Sequence, residues 1–169
     1  MTSAKEIRHY LADNTTFLKV IRSRKLSRFP SPSTFRLPKT LIVHSTSSNS
    51  GKEEKDKIGH WISILLTDNE ALLFDSFGRK PNDFNIINYV FKYYNCVYFN
   101  CTPLQHITSI NCGLFCISFV QYVKSITDFD DYICLFCHSN LKLNDKIVIR
   151  MINNKSIANS MRANLLSFY

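Results

Sequence analysis

Residues 59–78 read GHWISILLTDNEALLFDSFG: two apolar runs, Gly59 to Thr67 and Glu70 to Ser76, on either side of Asp68-Asn69. Asp and Asn tolerate the backbone of tight turns, so such a pair between two strand-length runs predicts a β-hairpin. If Thr67 faces Glu70 across a symmetric turn, Asp75 falls opposite Ile62. Side chains alternate with period two, so His60 shares the face of Ile62 and becomes a diagonal neighbour of Asp75. At a Cα separation of about 7–8 Å the two side chains can meet, and the carboxylate then fixes the imidazole tautomer and favours its charged form. A slip of one residue would separate them. Taken singly, each has a plainer use: a histidine hydrogen-bonded at a strand start, and a turn-forming aspartate before Ser76-Phe77-Gly78.

The second informative stretch, residues 103–116, reads PLQHITSINCGLFC. A loop carrying the amide Gln105 runs into Asn111-Cys112-Gly113, after which Leu114, Phe115, Ile117, Phe119, Val120, Tyr122, Val123 and Ile126 form a nearly all-apolar helical run. Cys112 is therefore expected in the first turn of a buried helix. The free N–H groups and dipole of a helix start favour a thiolate, the nucleophilic form of cysteine. Lowering a thiol pKa from about 8.5 to the ~3.5–4 of strongly activated cysteines takes about 6–7 kcal/mol, whereas a helix terminus supplies at most ~2 kcal/mol. A cationic partner, most naturally histidine, must supply the rest. The plainer alternative makes Cys112 a small buried hydrophobe.

Around these stretches the chain reads as further strands and helices. Ser3-Ala4-Lys5-Glu6 has capping-box spacing, predicting a helix from Ala4 to Asp13. Phe17 to Ile21 and Thr40 to His44 read as strands, separated by a loop over Arg22 to Pro38 whose prolines exclude it from a central sheet. Ser45 to Lys57 is polar and reads as an exposed, mobile loop. Phe84 to Tyr94 has helical spacing behind Asn82 or Asp83, and Asn95 to Thr102 reads as a strand. A helix is expected from Asp128 to Cys137, and two more between Leu141 and Phe168, interrupted near Asn153-Asn154. The pattern predicts an α+β fold with a central, mostly antiparallel or mixed sheet packed with helices, and a site in the groove where helix meets sheet.

At 169 residues and 45% hydrophobic content the chain can bury one substantial core, so a single domain over residues 1–169 is expected. It has no apolar run of membrane-spanning length and no apolar secretory segment at its start, which points to a soluble intracellular protein. The cysteines, Cys96, Cys101, Cys112, Cys116, Cys134 and Cys137, are then expected to be reduced. Cys134-Leu135-Phe136-Cys137 followed by His138 has zinc-like spacing but lacks a second ligand pair, so no metal is expected. The net charge of +8, with Lys19, Arg22, Arg24, Lys25, Arg28, Arg36 and Lys39 clustered early, suits either a phosphate-tracking patch or a merely solvated surface.

The order His60, Asp75, Gln105, Cys112 resembles that of the adenovirus-type cysteine endopeptidases, the adenain family. The matches are Gly59-His60-Trp61, Leu73-Phe74-Asp75-Ser76-Phe77-Gly78, Gln105 seven positions before Cys112, and Cys112-Gly113-Leu114-Phe115-Cys116. The resemblance covers roughly the first three quarters of the chain. It implies a papain-like arrangement in circularly permuted order, with Cys112 as nucleophile, His60 as general base and then acid, Asp75 as orienting carboxylate, and Gln105 with the Cys112 backbone N–H as oxyanion hole. Trp61 corresponds to the family's aromatic beside the histidine, and core packing is its alternative role. Asp in place of Glu at position 75, and Asn111-Cys112-Gly113, resemble instead the SUMO- and ubiquitin-like-specific proteases of the same clan, in which the glutamine usually stands six before the cysteine.

The resemblance further implies a viral or virus-like-element enzyme that cleaves capsid or core precursors at small, glycine-containing sites with an apolar residue upstream. It would act as a monomer in the virion and the host nucleus or cytoplasm. No cofactor is chemically required, but DNA and a short activating peptide are implied partners, the peptide joining through Cys96. Two alternatives stand beside it: a deconjugating isopeptidase for a ubiquitin-like modifier, and a basic nucleic-acid-binding or assembly protein on an inert protease fold.

Overall fold

The computed structural model describes residues 2–45 and 59–153. Its centre is the hairpin of β3 (His60–Leu66) and β4 (Glu70–Phe74), in the predicted register: Ile64 faces Leu73, Leu65 faces Leu72 and Leu66 faces Ala71. Thr67 closes the turn, its N–H and hydroxyl donating to the Glu70 carbonyl at 3.0 and 2.8 Å. With β1 (Phe17–Arg22), β2 (Lys39–Ser45) and β5 (Cys96–Phe99) the sheet has the order β1-β2-β3-β4-β5.

The β2–β3 and β3–β4 pairs are antiparallel, but β1–β2 and β4–β5 are parallel, so the sheet is mixed rather than mostly antiparallel. Long connections allow this, because parallel neighbours need a crossover. Between β1 and β2 the proline-rich segment winds into two short 3-10 turns, Ser23–Arg28 and Pro32–Thr34. Helix α2 (Phe84–Tyr93), capped by the Asp83 carboxylate, crosses from β4 to β5.

Residues of each central strand alternate between two cores. On one face Ile42, Trp61, Leu65, Leu72 and Phe74 belong to the cluster that also holds α1 (Ala4–Tyr10), α3 (Cys112–Tyr122), α4 (Ile126–Cys134) and α5 (Leu141–Asn153). On the other face Leu41, Val43, Ile62, Ile64 and Leu73 meet Ile86, Tyr89 and Val90 of α2. Covering both faces explains why β3 and β4 read as continuous apolar runs instead of alternating ones.

Several boundaries differ from the sequence expectations. Helix α1 carries the expected Ser3–Glu6 capping box but stops at Tyr10, because Asn14 Oδ1 accepts the N–H groups of Thr16 and Phe17 and turns the chain into β1. Helix α3 stops at Tyr122 although the apolar run continues. The Ser125 hydroxyl accepts the Asp128 N–H, so Ile126 opens α4 two residues before the expected start, and α4 stops at Cys134 rather than Cys137. The loop expected over Ser45 to Lys57 lies, apart from Ser45, outside the described residues, as does a helix beyond Asn153.

Phe74, the last residue of β4, stacks on Phe119 of α3 with centroids 4.8 Å apart and planes 8° from parallel. Phe129 and Tyr132 of α4 meet both rings edge-on. This aromatic group fastens α3 to the strand that leads directly into Asp75. Phe119→Ala is expected to destabilise the fold by about 3–5 kcal/mol, seen as a lower urea midpoint with little change in slope.

Candidate active site

His60 begins β3 and Asp75 follows β4, so both side chains stand at one end of the hairpin. His60 Nε2 and Asp75 Oδ1 are 2.7 Å apart. Asp75 Oδ1 also accepts the Phe77 N–H at 2.8 Å, and Arg79 Nε donates to Oδ2 at 3.1 Å. Burial would raise the Asp75 pKa, but the hydrogen bond and charge of His60, the Phe77 N–H and Arg79 together hold the carboxyl below its ordinary range. The loop is drawn back by Gly78, whose φ of +64° suits glycine and whose missing side chain leaves room for the Thr102–Pro103 backbone.

Cys112 opens α3, and Asn111 at the cap position makes no side-chain hydrogen bond to the helix. The first N–H groups of the helix are thereby left to the sulfur. Burial raises the thiol pKa, but a hydrogen bond with the His60 ring, backbone hydrogen bonds from Trp61 and Gly113 and the charge of His60 outweigh it, leaving the pKa below that of an ordinary thiol. The opposite balance holds on the ring. Burial depresses the His60 pKa, while its bonds to Asp75 and Cys112 and their charges raise it above the usual imidazole value. With Nε2 engaged by Asp75, the nitrogen left for sulfur is Nδ1, which fixes the tautomer.

By strand parity His60 belongs to the α2 face, whereas Cys112 belongs to the core cluster on the other. They meet because the β3–β4 ladder stops at Ser63 opposite Phe74, leaving the first residues of β3 uncovered on that side. Trp61 faces the α3 side, 5% exposed, with its indole N–H donating to the Thr2 carbonyl at 2.9 Å. It is a core residue in this fold.

Gln105 is buried near the same end of the sheet. Its Oε1 accepts the Ser76 hydroxyl at 2.6 Å, and its Nε2 donates to the Ser109 carbonyl and hydroxyl at 3.0 and 3.1 Å. The amide is thus tied to the residue after Asp75 and to the loop before Cys112. Cys96 stands apart, exposed on β5 and paired with Glu70, at the opposite end of β4 from Asp75 and roughly 16 Å away at 3.3 Å per residue. All six cysteines are free.

Asn100 carries no sequence signal of its role. Its Oδ1 accepts the Asp75 N–H at 2.9 Å and its Nδ2 donates to the Asp75 carbonyl at 2.6 Å, so a side-chain amide extends the β4–β5 pairing by one residue. This is why β5 ends at Phe99 rather than Thr102. Arg79 and Ser76 were also missed; only the i,i+4 spacing of Asp75 and Arg79 was legible.

No protein-family model matches this sequence, and a search of curated proteins finds no match.

The lowered thiol pKa and the raised imidazole pKa both shift the balance toward a thiolate–imidazolium pair. Iodoacetamide labelling of Cys112, followed peptide by peptide in a mass spectrometer, should therefore titrate below the ~8.5 of a free thiol. Asp75→Asn weakens the cation on His60 and should move that inflection upward; His60→Ala should move it further. An inflection indifferent to Asp75→Asn would remove the carboxylate from this role.

Proposed function

We propose that the chain is a cysteine endopeptidase of a virus or virus-like element, cleaving capsid or core precursor proteins during particle maturation. The supporting observation is one imidazole that is bonded to a carboxylate at 2.7 Å and whose hydrogen bond and charge lower the pKa of the Cys112 thiol. The residues occur in the order His60, Asp75, Gln105, Cys112, the permuted papain-like order.

In this mechanism the Cys112 thiolate attacks the scissile carbonyl carbon, and the electron pair of the C=O bond moves to oxygen. The Cys112 backbone N–H and Gln105 Nε2 stabilise that oxyanion, the amide exchanging its bond to Ser109 for one to the intermediate. The His60 imidazolium gives its proton to the departing amine, leaving a thioester on Cys112. Neutral His60 then takes a proton from water, the resulting hydroxide releases the acid product, and the thiolate–imidazolium pair returns. Asp75 stays ionised and orients the ring throughout.

Around this chemistry we place precursor polypeptides as substrates, a monomeric enzyme in the virion and host nucleus or cytoplasm, and DNA with a short peptide as activators. The exposed Cys96 is accessible to a disulfide-forming peptide.

The decisive experiment incubates the protein with structural polypeptides of its own genome and maps cleavage by mass spectrometry. Glycine-containing junctions should be cut, and Cys112→Ala should abolish cutting. Fast cleavage of a SUMO or ubiquitin fusion alone would make the protein a deconjugating isopeptidase, and an unreactive Cys112 in a folded chain would favour the inert fold. Gln105→Ala should lower kcat by about 10²–10³ with a smaller change in KM.

A further inference from the structure

A groove of about 510 Å³ opens beside Trp61, within the size range of ligand sites. Its walls carry Arg8 from α1, Lys19 and Arg22 from β1, Lys25 from the first 3-10 turn and His44 from β2, with no acidic residue among the described residues that line it. All four Lys and Arg residues are exposed, and none pairs with a carboxylate among the described residues. The His44 ring meets Trp61 edge-on at 4.6 Å, and its pKa is lowered by burial first and then by the charges of Arg22 and His60. His44 therefore stands between the cations of the groove and the imidazole of the thiol site. Gly59 makes this placement feasible: a side chain there would overlap the His44 ring.

The groove is suited to charge but not to base stacking. Trp61 is buried, its indole N–H is engaged by Thr2, and it offers no free aromatic face of the kind single strands use. The cations converge from three elements on a concavity, whereas phosphate tracking follows a strip of basic surface. Trp61 lines the groove and directly follows His60 in β3, so an occupant of the groove lies within a few residues of the scissile bond. We propose that this groove binds aspartate or glutamate side chains of the polypeptide being cleaved, a proposal that rests on the protease reading above.

The test uses the full chain and paired fluorogenic peptides that share an apolar residue and glycine at the cleavage site and differ only in flanking Glu or Gln. The Glu peptide should show roughly tenfold higher kcat/KM at low salt, as two or three exposed charge contacts allow, with the advantage shrinking as salt rises. The Arg22→Gln/Lys25→Gln double variant should bring the ratio close to one, while Lys142→Gln on α5 should leave it intact. Equal rates for the two peptides, or a ratio indifferent to the double variant, would overturn the proposal. If no peptide is cut, fluorescence anisotropy separates the two ideas. Tighter binding of the Glu peptide, lost in the double variant, keeps the groove while the protease reading falls; equal binding of both peptides sinks the groove as well. A duplex oligonucleotide whose binding is lost in the double variant, with Glu and Gln peptides bound alike, would assign the groove to nucleic acid instead.

Discussion

The site depends on one imidazole that interacts with both a carboxylate and a thiol. Nε2 is held at 2.7 Å by a carboxylate that is itself fixed by a backbone N–H and an arginine, which leaves Nδ1 for the Cys112 sulfur. That geometry exists only at the end of the sheet. Along most of β3, side chains on the His60 face point toward α2, away from the core that holds α3. Only where the ladder with β4 has stopped can a residue of that parity meet a group from the other side.

Cys112 and Cys116 show how strongly position decides the chemistry. They lie one turn apart in α3, and both are buried. Burial raises both thiols, and for Cys116 it wins, placing the pKa well above the ordinary value. Cys112 instead receives the imidazole and two backbone N–H groups, which reverse the balance. Helix N-terminus, ring and strand backbone act together, as the limited strength of a helix dipole alone requires.

The parts legible in the sequence were those set by local rules. The hairpin register followed from Asp68-Asn69 between apolar runs, and the His60–Asp75 pair followed from the register. The start of α3 followed from the polar-to-apolar change at Asn111-Cys112. Elsewhere a polar side chain overrode the pattern. Asn14 ended α1, Asn100 replaced the last pair of β5, and Ser125 started α4 within an apolar run. The spacing Ser125 to Asp128 carries that last signal in the sequence. The partners of Asn100 and Gln105 were not legible, because their bonds cross the sheet to residues 25 and 29 positions away.

The loop from Asn100 to Asn111 shows why those distant amides matter. It has little apolar anchorage: Leu104 is buried, but Ile107 and Ile110 are 75% and 59% exposed. Hydrogen bonds hold it instead. The Ser76 carbonyl accepts the Leu104 and Gln105 N–H groups, Asn144 of α5 donates to the Leu104 carbonyl, and the Ser109 hydroxyl donates to Asp145. Because leaving a buried polar group unpaired costs about 1–3 kcal/mol, each bond restricts the loop to conformations that satisfy it. Gln105 is consequently positioned by polar contacts from Ser76, just past β4, and from the α5-anchored Ser109, while Cys112 is positioned by packing. The Gln105 N–H can exchange its present partners for an equivalent oxygen, whereas moving Cys112 would require the aromatic contacts among Phe74, Phe119 and Tyr132 to break. The thiol is therefore held firmly and the amide is exchangeable, a division that suits the proposed protease, in which the amide is needed only when negative charge develops on the substrate.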